Sequence, residues 1–147
     1  MSASLLDVNV LIALHWENHS HHQAAIRWFS SHQAEGWATC PTTEAGFVRV
    51  ISNPATDASA PSAASALELL KDSLGGNPHH QFWPDAIPLA AISGAVRTRI
   101  AGHNQVTDAY LLSLAIHRKA RLVTFDRGLQ SLAPKGSAEE RALWLLT

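Results

Sequence analysis

Asp7 interrupts the apolar run Leu5-Leu6-Asp7-Val8-Asn9-Val10-Leu11-Ile12. A charge in such a run is costly to bury unless it is paired or binds a metal. Asp126 closes a second run, Leu122-Val123-Thr124-Phe125-Asp126. Glu44 heads a stripe of Phe47, Val48 and Ile51 at i+3, i+4 and i+7, which lie on one helical face. Asp108 heads another, with Leu111, Leu112 and Ala115. Singly, each acid has an ordinary explanation. The helix macrodipole favours an acid near a helix N-terminus by about 0.3–1 kcal/mol, and Asp shortly before a glycine is a common turn residue. Those explanations predict exposed acids, whereas the spacing puts Glu44 and Asp108 on core-facing sides.

The elements that must position these groups alternate strand and helix. A strand over Leu5–Asp7 leads into a helix reaching about Glu17. Ser20 is the expected N-cap of a second helix ending near Gln33, and Gly36 closes it. Trp37–Cys40 reads as a buried strand stopped by Pro41. Thr42-Thr43 starts a helix ended by Asn53-Pro54. Residues 55–66 are a loop entering a helix near Ser62 that ends at Gly75-Gly76. His80–Trp83 is a third strand. Pro88–Ile100 is expected as one helix, ended by Gly102. Thr107 opens the next helix, to about Lys119. Arg121–Phe125 is a strand, Asp126-Arg127-Gly128 a turn, and Ala142–Leu146 an edge strand. The alternation implies right-handed βαβ units and one mainly parallel α/β sheet of about five strands.

In a parallel sheet the carboxyl ends of strands and the starts of the following helices share one edge, where ligands bind. Asp7, Glu44, Asp108 and Asp126 are therefore expected to converge. Four carboxylates cannot all stay ionised at close quarters without a cation. The partner expected is a hard divalent ion with oxygen ligands, Mg²⁺ or Mn²⁺. Asn9 and Thr124 are placed to orient ligands or water. Such a site suits phosphate-ester hydrolysis, because a bound ion acidifies water and neutralises developing charge. No Cys/His set has zinc spacing, and no glycine-rich phosphate loop is present.

A chain of 147 residues fits one domain, spanning 1–147. At 46% hydrophobic and 16% charged it is compact rather than disordered. One cysteine, Cys40, forbids an internal disulfide and favours a reducing, cytoplasmic setting; Cys40 itself is expected as a small core hydrophobe. The apolar start is too short and too interrupted for a signal peptide or a membrane span. Residues 1–90 hold three Lys/Arg against eight Asp/Glu, and residues 91–127 hold six against two. A basic surface beside the acidic site is one reading of that shift, and a solvated helix face is the other.

Leu5-Leu6-Asp7-Val8-Asn9-Val10-Leu11, Glu44 opening a helix, Thr107-Asp108-Ala109 opening another and Thr124-Phe125-Asp126 closing a strand resemble a PIN domain across essentially the whole chain. With its compact length, the chain looks like a VapC-type toxin of a bacterial toxin–antitoxin pair. The resemblance implies a sheet order of 3-2-1-4-5. It implies a Mg²⁺- or Mn²⁺-dependent endoribonuclease cutting structured RNA of the transfer or ribosomal class. A homodimer restrained by a cognate antitoxin is implied as well. Motif by motif, Asp7, Glu44, Asp108 and Asp126 take the catalytic metal-site roles, with Asn9 and Thr124 in support. No motif fixes a role for Arg49, Arg97 or Arg99.

Two other classes share part of this pattern. A phosphoacceptor receiver or small phosphatase also groups acids around Mg²⁺. Receivers, however, resemble a pattern with a lysine just after a buried strand, and none of Lys71, Lys119 and Lys135 follows one. A non-catalytic PIN-like module that binds RNA or protein would be marked by a missing acid, and none of the four is missing. His19, His21, His22, His79 and His80 lie in polar stretches without metal-ligand spacing and are expected at the surface. Trp16, Trp28 and Phe29 are expected mainly in packing, and otherwise at a dimer or antitoxin surface.

Overall fold

The computed structural model describes residues 3–147. It contains one five-stranded, all-parallel sheet in the order β3-β2-β1-β4-β5. The strands are β1 (Ser4–Leu6), β2 (Trp37–Thr39), β3 (His80–Phe82), β4 (Arg121–Thr124) and β5 (Leu143–Leu145). The helices are α1 (Val8–His15), α2 (His22–His32), α3 (Pro41–Ile51), α4 (Ala63–Gly75), α5 (Gly94–Arg97), α6 (Val106–His117) and α7 (Ala138–Arg141). The strand order matches the expectation. It also sets the chain apart from phosphoacceptor receivers, whose strands run 2-1-3-4-5.

Side-chain alternation along the central strands explains the layering. Leu5 and Leu122 point to one face and pack with Leu111, Leu112 and Leu114 of α6. Leu6 and Val123 point to the other and pack with Val10 and Leu11 of α1, Trp28 of α2, Phe47 and Ile51 of α3, and Leu70 of α4. Covered on both faces, β1 and β4 carry consecutive apolar residues, Leu5-Leu6 and Leu122-Val123, as buried parallel strands do. The exposed edge strand β3 is accordingly more polar. Gly46 lets α3 approach α1 closely, since a Cβ there would stand 2.6 Å from Val8 Cγ2. Gly36, at φ 97°, makes the left-handed turn into β2.

Two local expectations change. Ser20 does not cap α2; His21 holds the cap position without a side-chain hydrogen bond, and the ring of His22 bonds the carbonyl of Ala13 instead. The helix expected over Pro88–Ile100 is broken into a 3₁₀ turn (Leu89–Ala91) and α5. Ile92 is extended between them (φ −52°, ψ 133°) and buries its side chain. The guanidinium of Arg97 donates to the carbonyls of Ala90 and Ile92, groups that a continuous helix would have satisfied through its backbone. Cys40 is buried as expected and precedes α3 at its N-cap; burial pushes its thiol up to about 11.

Among the described residues, no helix is long and apolar enough to cross a membrane.

Candidate active site

The site is assembled where β1 and β4 end. Asp7 follows β1 directly, and its backbone N–H still donates to Val123 of β4 (3.0 Å) while its side chain caps α1. Asp7 is only 6% exposed. Its Oδ1 accepts from the Val8 N–H at 2.7 Å, and its Oδ2 accepts from the hydroxyl of the buried Thr124 at 2.8 Å. The Asn9 amide donates to Thr124 Oγ1 (3.0 Å) and, more weakly, to Asp7 Oδ2 (3.4 Å), while Asn9 Oδ1 accepts from the Phe125 N–H (3.1 Å). Thr124 Oγ1 also accepts from the Asp126 N–H at 3.0 Å. One hydroxyl thus connects two of the predicted acids. Asp126 is exposed, and its Oδ1 is tied to the Gly128 N–H at 2.8 Å.

Asp7, Asn9, Asp108 and Asp126 line one open-sided cleft of about 400 Å³, together with Val8, Ile12, Trp16, His19 and Val50. Burial pushes the Asp7 carboxyl above its ordinary range despite its hydrogen bonds, and the charge of Asp126 adds to the rise. Asp108, near the start of α6, is raised to about 6 by burial and then by Asp7 and Asp126. Among the described residues, no cationic side chain acts on either acid. Three oxygen-donor acids therefore repel one another across a cleft whose described lining holds no lysine or arginine, and that is the environment a hard divalent cation fits. Among the described residues, no three His, Cys, Asp or Glu side chains are drawn tightly enough together to clamp an ion unaided. The acids share a cleft rather than a point.

Glu44 is placed differently. It lies in the first turn of α3, as expected, but does not line the cleft. Its Oε2 accepts from the hydroxyl of Thr39 at 2.6 Å, at the end of β2. His80 of β3 stands 2.8 Å from the same hydroxyl through Nε2. Since Thr39 donates to Glu44, His80 must donate to Thr39, which sets its tautomer. His80 is half-buried, and burial lowers its basicity against the opposing charge of Glu44.

Residue patterning missed the cleft's aromatic wall. Trp16 packs partly against the core and His19 stands at an open surface, both as expected, yet both also line the cleft. The segment between α1 and α2 folds back over the end of β4, where His21 stacks on Phe125 at 4.4 Å between ring centroids and 13° between planes. The one sequence hint is Phe125 itself, a large apolar residue between Thr124 and Asp126 that requires a cover.

Three basic residues of the 91–127 stretch are engaged elsewhere than at the acids. Arg118 and Arg121 lie over the rings of Trp83 and Trp144, at 5.0 and 4.3 Å. Arg121 starts β4, at the sheet edge opposite Asp126. Arg97 is occupied by loop carbonyls.

A family model for the PIN domain matches residues 4–135; α7 and β5 lie beyond that span and complete the same sheet. The chain is 47% identical over 138 residues to ribonuclease VapC39 of Mycobacterium tuberculosis, covering 92% of this chain and 97% of that protein. Among solved structures it resembles FitAcB from Neisseria gonorrhoeae, with a TM-score of 0.62 at 19% identity over 96% of each chain. It also resembles VapBC2 from Rickettsia felis, described as bound to a DNA fragment from the promoter, with a TM-score of 0.61 at 16% identity over 97% of this chain and 96% of that one. At those identities the two structural likenesses speak to the fold alone.

Proposed function

We propose a function for this chain from the premise that it belongs to the PIN-domain family, as a member of the VapC type. It is an endoribonuclease and the toxin of a toxin–antitoxin pair. It depends on Mg²⁺ or Mn²⁺ and cuts structured RNA of the transfer or ribosomal class in the cytoplasm. Asp7, Asp108 and Asp126 hold the cation, and Glu44 turns in from Thr39 as the fourth acid. The single observation that carries this reading is the shared cleft of three mutually repelling carboxylates, whose described lining holds no lysine or arginine.

A divalent ion held there would acidify a water and supply positive charge to the phosphate ester. The chain's own residues do the positioning. Thr124 and Asn9 fix the direction of Asp7 Oδ2. The Gly128 N–H holds Asp126 Oδ1, which leaves its other oxygen for the cleft. The low, apolar walls given by Val8, Ile12 and Val50 strengthen charge interactions within it.

The partner proposals have their own support. An apolar groove of about 330 Å³, lined by Leu11, Leu14, Ile26, Phe29, Phe47 and Leu70, suits an apolar segment of a cognate antitoxin. Leu89 and Val106, both exposed, line a hollow with Ile87 and Tyr110 and favour a second copy of the chain in a homodimer.

The test is cleavage of total RNA by the purified protein with Mg²⁺, with Mn²⁺, with chelator, and with Asp7→Asn alongside. Discrete fragments should form with metal and vanish with chelator and in the variant. Cleavage that survives either change overturns the reading.

A further inference from the structure

Trp16 and His19 are not needed to hold a cation, yet both line the acid cleft. Both also line a second hollow, of about 530 Å³, with His15, Glu17, Asn18 and Asp57. The two hollows therefore meet at one wall made of an indole and an imidazole.

That wall is held in place. The Trp16 N–H donates to Ile12 O at 2.9 Å, and the His19 N–H donates to Trp16 O at 3.0 Å. The His21 N–H donates to His19 Nδ1 at 3.0 Å. The His21 ring is stacked on Phe125, the residue between Thr124 and Asp126. Segment 16–21 is thus tied to the strand end that carries the acids. Trp16 and His19 are both half-buried, so they are supported from behind while keeping open surface.

The chemistry of the second hollow selects its occupant. Glu17 and Asp57 line it, and their charge disfavours a phosphate. A neutral, flat base avoids that repulsion, and Asn18 offers both a donor and an acceptor to a base edge. Aromatic side chains and histidine stack on unpaired RNA bases, whereas duplex bases are already stacked and unavailable. At 530 Å³ the hollow lies within the usual range for a small-molecule-sized group.

We propose that Trp16 and His19 form a stacking wall that receives an unpaired nucleobase beside the phosphodiester presented to the acids. The inference rests on the ribonuclease reading above and narrows its substrate to a single-stranded or looped segment with a nucleotide that can splay out.

The test compares wild type, Trp16→Phe, Trp16→Leu and His19→Ala on total RNA with Mn²⁺, with the cut ends mapped by sequencing. Thermal melting with and without Mn²⁺ reports folding and metal binding. Trp16→Phe keeps a π-face and should stay within a few-fold of wild type. Trp16→Leu keeps apolar bulk without a π-face and should slow cleavage about ten-fold. It should also alter the nucleotide preference next to the cut while leaving the Mn²⁺-dependent melting shift unchanged. Trp16→Leu cutting as fast as wild type at the same sites overturns the wall and leaves the ribonuclease reading standing, as does wild type cutting inside duplex segments. If wild type does not cut at all, both readings fall together. Should Trp16→Leu not fold, His19→Ala decides, with about a five-fold loss in support and no loss against.

Discussion

Two threonines end the strands on either side of β1, and each donates to a carboxylate, with opposite consequences. At the end of β2, Thr39 donates to Glu44 at 2.6 Å and meets His80 on its other side. That trio is a closed hydrogen-bond chain in which Thr39 donates to the acid and accepts from His80, and the acid is half-exposed, so water shares its charge. At the end of β4, Thr124 donates to Asp7 at 2.8 Å, but Asp7 is nearly buried and the neighbouring charges are Asp126 and Asp108. The first pair is self-sufficient. The second carries negative charge that burial and repulsion both penalise, and it is tolerated because hydrogen bonds fix it in place. The contrast locates where a cation has most to stabilise.

The largest expected effect is that of Asp7→Asn, which keeps size and hydrogen bonding but removes the central charge. Cleavage should fall by roughly 10³-fold or more, since a metal's charge stabilisation is worth several kcal/mol. Next comes Thr124→Val, which removes the hydroxyl shared by Asp7, Asn9 and Asp126. A loss of about 10–100-fold in cleavage is expected. Thr39→Val should lose less than about ten-fold, because Glu44 is half-exposed and keeps water on its open side when the buried hydroxyl is lost. Rates in the reverse order would break the comparison. The smallest effect concerns stability without metal. The folded value of Asp108, about 6, lies above its usual 3.8. Its contribution to stability is therefore complete below about 3.8 and lost as pH rises through about 6. At pH 7 Asp108→Asn should stabilise the metal-free chain, by about 1 kcal/mol once its half-exposed position is discounted. That is a melting rise of about 3 °C, and most of it should close by pH 4. A lower melting temperature at pH 7 would contradict the repulsion.

Much of this edge was legible in the sequence because it is written locally. Leu5-Leu6 and Leu122-Val123 announce buried strands, and an acid after each can only lie at the carboxyl edge. The i+3, i+4, i+7 stripes after Glu44 and Asp108 fix which way those helices face. What was not legible depends on contacts between distant segments. Nothing near Glu44 in sequence says that His80, 36 positions later, will stand against Thr39. Nothing near Trp16 says that the α1–α2 segment will fold over Phe125. The broken helix at 89–97 was hidden because Pro88 and the apolar spacing after it suit a helix start. Burial of Ile92 in an extended conformation, with Arg97 capping the freed carbonyls, won over that local preference.

The most direct measurement is Mn²⁺ binding, read as loss of the free-ion electron paramagnetic resonance signal, for wild type, Asp7→Asn and Glu44→Gln. Saturable binding by wild type that Asp7→Asn abolishes and Glu44→Gln only weakens is the predicted result. Binding by Asp7→Asn equal to that of wild type, or no binding by folded wild type, would contradict the claim that the acids at the ends of β1 and β4 form a cation site.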